Sequence, residues 1–145
     1  LYYLSFKGHQ SLPHWLSSKF LGVSIQDLID YDMLPEISNG YLDLSHKNIN
    51  NLDGLNRIPG MQHVEIISLE NNLISSIPPG AFSGLDNLEA IALGNNRLDM
   101  INPGAFSGLT HFNELELQGN PIKFSDRALL ESNVKADAPQ VQIRY

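Results

Sequence analysis

Cysteine is missing altogether from this chain, which excludes disulfides, thiolate metal ligands and cysteine nucleophiles together. No asparagine sits in an N-x-S/T sequon either, which disfavours a glycosylated animal ectodomain. A chain with neither fits a cytoplasmic or bacterial origin, secreted bacterial effectors included. Positive charge is scarce: 9 Lys and Arg stand against 16 Asp and Glu, for a formal net charge of −7. That balance argues against a nucleic-acid binder, which needs a basic stripe over the phosphates. No apolar run approaches the roughly 18 residues of a membrane span. The sequence opens at Leu1 without a basic-then-apolar leader, so a signal peptide is expected to be absent or already removed, and the missing Met points to a fragment or processed product.

Groups that carry chemistry are present but not in working arrangements. The histidines His9, His14, His46, His63 and His111 show no metal-ligand spacing. There is no G-x-S-x-G, no phosphate-binding glycine loop and no dinucleotide fingerprint. No nucleophile, base and orienting group fall together, so catalysis, metals and cofactors are not expected.

What the chain has instead is repetition. PGAFSGL occupies 79–85 and again 103–109, at an offset of 103 − 79 = 24 residues. Aligned on it, VEIISLENNLISSIPPGAFSGLDN from Val64, LEAIALGNNRLDMINPGAFSGLTH from Leu88 and FNELELQGNPIKF from Phe112 fall into phase, and NGYLDLSHKNI from Asn39 starts 25 residues before Val64. A fixed period of this length marks stacked supersecondary units. Within each unit Leu42/Leu44, Ile67/Leu69, Ile91/Leu93 and Leu115/Leu117 alternate with polar or small residues, the signature of a short strand with one buried face. Asn72, Asn96 and Asn120 share the slot past each strand, where a buried amide can satisfy backbone groups of the turning chain. The first unit has Lys47 there, so its ladder is expected to be broken or its turn close to solvent. Phe82 and Phe106 are expected to fill the far side of each coil, with Pro79-Gly80 and Pro103-Gly104 setting the corner.

The pattern L-x-x-L-x-L-x-x-N-x-L, followed by P-x-x-x-F-x-x-L, resembles the leucine-rich repeat family of the 24-residue "typical" class, over about Asn39 to Phe124. The resemblance implies an α/β fold: a leucine-rich repeat solenoid, a right-handed β-α superhelix with a parallel concave sheet. The expected organisation is a helical N-terminal cap at 1–38, repeats at 39–63, 64–87, 88–111 and 112–124, and a C-terminal cap at 125–145. Residues 9–38 lose the period and read as two short helices. Trp15, Leu16, Phe20 and Leu21 mark the apolar face of the first; Ser24 and Asp27 form a capping box opening the second, with Leu28 and Ile29 buried. Leu12-Pro13 and Ser24-Ile25-Gln26-Asp27-Leu28 are similar to the F-box, a motif that recruits a ubiquitin-ligase adaptor, though with shorter spacing. Asn120-Pro121 resembles the close of a last repeat, after which SDRALLESN at 125–133 reads as a helix and QVQIRY at 140–145 as a final strand.

By alternation, the outward side of the sheet displays Tyr41, Asp43, Ser45 and His46; then Ile66, Ser68, Glu70 and Asn71; then Ala90, Ala92, Gly94 and Asn95; then Glu114, Glu116 and Gln118. Acidic residues gather toward the C-terminal end, and no Lys or Arg falls among these positions, so their carboxylates are expected to find no cation in the same sheet. The small residues of the third unit leave room for a protruding side chain, and Tyr41 and Ile66 add apolar surface. Repeat stacking makes such a face an extended surface for partners. The expected function is protein–protein recognition through that face, with a basic or basic–aromatic partner. The alternatives are an F-box-like ubiquitin-ligase adaptor and a structural or designed repeat scaffold without a natural ligand.

Overall fold

The computed structural model describes residues 22–145. The strand cores expected from alternation do lie side by side, in one five-stranded parallel sheet. Its strands are β2 (Tyr41–Asp43), β4 (Ile66–Ser68), β5 (Ala90–Ala92), β6 (Glu114–Glu116) and β7 (Gln142–Arg144). Register is exact to the repeat: Leu42, Ile67, Ile91, Leu115 and Ile143 stand abreast. The first four are buried, and Leu44, Leu69, Leu93 and Leu117 make a second buried row just past the strands. A three-residue strand cannot hold itself together. These stand because every coil hands its apolar face to the next, giving one continuous core.

The far side of the coils is closed by aromatics. Phe82 and Phe106 are fully buried with ring centroids 5.6 Å apart, and Phe112 follows at 4.9 Å from Phe106. No α-helix forms between repeat strands; the corners are turns and the 3-10 segments Leu55–Arg57 and Met61–His63. Pro78, Pro79 and Gly80 in one coil and Pro103 and Gly104 in the next deny a helix its donors and its backbone angles. A second, two-stranded parallel sheet pairs β1 (Val23–Ser24) with β3 (Ile49–Asn51), which the repeat pattern does not foretell.

The asparagine ladder has a direction. Asn96 Oδ1 accepts from Ile74 N–H of the preceding coil at 3.0 Å, while its Nδ2 donates back to Leu69 O at 2.9 Å and to Leu93 O of its own coil at 3.1 Å. Asn120 repeats this toward Leu98 N–H and Leu93 O. Asn72 accepts from both Lys47 N–H and Ile49 N–H at 3.0 Å and donates to Leu44 O. The expected break at Lys47 therefore does not occur. Each amide serves the coil before it, and the first coil's turn is completed by Asn72 without an amide of its own.

At the N-terminal side, Ser24 and Asp27 form the expected capping box: Asp27 N–H donates to Ser24 Oγ at 3.0 Å and Ser24 N–H to Asp27 Oδ2 at 2.9 Å. This opens helix α1 (Ile25–Asp30), whose buried face is Ile25 and Leu28; Ile29, expected in the core, is only half-buried, packed against the margin of that core. The helix expected before it, with Trp15, Leu16, Phe20 and Leu21, falls on residues outside those described. At the other end helix α2 (Arg127–Asp137) lays Leu130 and Val134 on the core. Its polar residues complete the last full corner: Asp137 Oδ2 accepts from Gly104 N–H at 2.9 Å and Phe106 N–H at 3.2 Å, and Asn133 donates to Ile101 O. One coil earlier, Gly80 N–H is met by the carbonyl of Gly104 at 2.9 Å, so the Asp137 carboxylate stands where another coil's carbonyl would be.

Candidate functional site

Three rows of side chains emerge from the sheet on the side away from the core. Strand register places Tyr41, Ile66, Ala90, Glu114 and Gln142 in one row, and Asp43, Ser68, Ala92, Glu116 and Arg144 in the next. Ser45, Glu70, Gly94 and Gln118 follow just past the strand ends. The expected outward residues thus do share one face. Tyr41 and Ile66 are the exposed apolar members, at 41% and 42% of their full accessibility.

His46, Asn71 and Asn95 sit one step further on, at the edge of the face, where the chain turns with positive φ (56°, 57° and 55°). Asparagine tolerates that region better than most residues, so these positions answer first to the turn. Gly119 takes the same place in the last coil at φ 77°, where a Cβ would collide with Asn95 Oδ1. Asn71 Nδ2 lies 3.2 Å from His46 Nε2. Asp43 is likewise engaged, accepting from Ser45 N–H at 3.0 Å. Gly94 lets Gln118 cross: a Cβ there would lie 2.8 Å from Gln118 Nε2, which donates to Glu70 Oε1 at 3.5 Å.

The expectation that no cation shares this sheet is wrong. QVQIRY does not only close the core; it enters as β7, parallel to β6, and brings Arg144 onto the outward face, where its Nε lies 2.9 Å from Glu114 Oε1. Arg144 is largely exposed and Glu114 partly so, and the pair is worth no more than about 1 kcal/mol. The signal was available: Val141 and Ile143 alternate with Gln142 and Arg144, which assigns Arg144 to the outward side once the segment is paired to β6. Among the described residues Glu116 and Glu70 form no ion pair. The face keeps Asp43, Glu70, Glu114 and Glu116 against the single cation Arg144 and remains acidic.

Ser68 is the other surprise. It faces outward as alternation requires, yet it is only 6% exposed, walled in by its row neighbours Asp43 and Ala92. In the centre of the face, Ile66, Ala90, Ile91, Ala92, Glu114 and Glu116 line a hollow of about 160 Å³. It exists because the third coil presents only alanines there. A larger recess of about 690 Å³ lies off this face, between residues 32–40 and 58–63. Among the described residues no three His, Asp or Glu side chains gather as metal ligands, and no helix is long and apolar enough to cross a membrane.

Residues 62–122 match the family model described as leucine rich repeat. No curated protein matches the chain. Among solved structures, human trophoblast glycoprotein (5T4, Wnt-activated inhibitory factor 1) is similar at 29% identity and TM-score 0.52, over 60% of this chain and 32% of that one. A chain of the Drosophila melanogaster SNF/U2A' complex is similar at TM-score 0.64 and 19% identity, over 84% of this chain and 67% of that one. A Leptospira interrogans leucine-rich repeat protein is similar at 27% identity and TM-score 0.47, over 58% of this chain and 20% of that one. This chain thus spans between a fifth and a third of the length of the Leptospira and human proteins.

Proposed function

We propose that this chain, which resembles leucine-rich repeat proteins over residues 62–122, is a non-catalytic module that binds a protein partner through the concave face of its sheet. The observation that carries this reading is the composition of that face. Side chains held in register by a rigid sheet present exposed Tyr41 and Ile66 beside an excess of carboxylates, around a hollow that the fold leaves unfilled. A core needs none of these. Apolar groups within an acidic field suit a partner with a basic surface, the carboxylates speeding encounter and rejecting acidic competitors. The Drosophila neighbour belongs to a complex, which agrees with an assembly role for this fold. In this reading the described residues before Asn39 and those after Phe124 act as caps for the repeats.

No separate observation favours the F-box alternative. Ser24 to Leu28 are accounted for by the capping box and by burial of Ile25 and Leu28, and Leu12-Pro13 lies outside the described residues.

The test is capture of partners from lysate by the tagged chain, against Glu70→Lys, Glu116→Lys. Both positions face outward, so circular dichroism should be unchanged while capture is lost and salt sensitivity falls. Asp86→Lys, Asp99→Lys, placed in exposed connecting segments, is the matched control and should capture normally. Undiminished capture by the concave-face variant would move the binding site off this face.

A further inference from the structure

We propose that the hollow in the centre of the concave face is a subsite for one arginine side chain of the partner. This rests on the reading of that face as the binding surface. Two independent features converge there. The first is shape: Ala90, Ile91 and Ala92 make an apolar floor, exposed Ile66 makes one wall, and the hollow holds about 160 Å³. A long side chain with a methylene stem and a charged head buries its stem on such a surface and keeps the head at its rim.

The second is charge. Opposite Ile66 the wall is Glu114 and Glu116, two residues apart on one face of β6 and so about 7 Å from each other along the strand. That spacing lets a flat cation lie between them. Glu114 already holds a guanidinium, that of Arg144 at 2.9 Å, whereas Glu116 has no ion pair among the described residues. Arg144 is therefore a tethered rival for one carboxylate of the pair.

Arginine offers several N–H groups in a plane and can meet two carboxylates at once; lysine offers a point charge.

Fluorescence anisotropy tests this with two short labelled peptides, one alternating arginine and glycine, the other lysine and glycine. The wild-type chain should prefer the arginine peptide. Ala92→Leu fills the floor without altering charge and should weaken that peptide about tenfold or more, with Ala90→Leu as a second filling variant and circular dichroism as the folding control. Arg144→Ala removes the rival and should tighten binding by about twofold to fivefold, the scale of an exposed ion pair. If both filling variants bind as well as wild type while Glu116→Lys abolishes binding, the face binds but the subsite does not exist. Equal affinity for the two peptides would overturn the assignment to arginine. Peptide binding indifferent to Glu116→Lys, together with undiminished lysate capture by the concave-face variant, would instead remove the face itself.

Discussion

Replacing Asn96 by alanine tests the logic that holds neighbouring coils together. Its amide is 7% exposed and makes four contacts: it accepts from Ile74 N–H and donates to the carbonyls of Leu69, Leu93 and Gly94. They are not equal. Leu69 O also receives Asn72 Nδ2, and Leu93 O also receives Asn120 Nδ2, so both keep a partner after the change. Ile74 N–H has no other acceptor and is left bare in a dry interior. An unmet buried donor costs about 1–3 kcal/mol, so the total should fall at about 2–3 kcal/mol. Urea unfolding followed by circular dichroism should show a lower midpoint with an unchanged slope. Asn72→Ala should cost at least as much, since that amide serves two N–H groups, Lys47 and Ile49. Lys47→Ala should cost less than either, because its N–H is held by Asn72 whatever the side chain. Equal midpoints for Asn96→Ala and Lys47→Ala would refute the account of the ladder.

The other predictions concern the far side and the C-terminal end. Phe106→Ala removes the middle ring of the Phe82–Phe106–Phe112 stack and should cost about 3–5 kcal/mol, read as a drop in the urea midpoint. Asp137→Ala strips the acceptor from Gly104 N–H and Phe106 N–H and should cost about 1–3 kcal/mol, with Asp137→Asn recovering a good part because an amide oxygen can still accept. Tyr145 is pushed up to about 12, first by burial, then by its hydrogen bond to Glu131 and that carboxylate's charge, with Arg127 opposing. Because the folded state favours the neutral phenol, its contribution is complete below the ordinary value of 10 and fades as pH rises toward 12. Tyr145→Phe should therefore lose less stability than wild type between those two pH values, and parallel curves would contradict the assignment.

The repeat was legible because its constraints are local and recur. Leucines at strand spacing, an asparagine past each strand and a phenylalanine behind it fix where each coil turns, and the sheet register follows the offset between copies. The irregular parts were less legible, since their partners lie far along the chain. The pairing of β1 with β3 joins residues with no shared pattern. Arg144 was missed for the same reason: alternation gives a strand its two faces but does not say which sheet the strand joins. The outward residues were found from alternation alone, yet it could not show which were already engaged. Asn71 and Asn95 read as outward residues and also sit at positive φ in turns, and Ser68 read as exposed but is enclosed by the row on which it stands.

The backward reach of the asparagines makes the order of synthesis matter. A coil leaving the ribosome cannot complete its own turn, since the amide it needs is encoded some 22 to 28 residues downstream. Each coil becomes permanent only when its successor arrives, and the last full corner waits for Asp137. The growing chain should thus lock in sequence from its N-terminal side, trailing one unfinished coil behind the exit tunnel. Hydrogen exchange on stalled chains would show it: Ile49 N–H should gain protection before Ile74 N–H, and Leu98 N–H after both. Simultaneous protection of all three would mean that the coils close together once the whole chain is free.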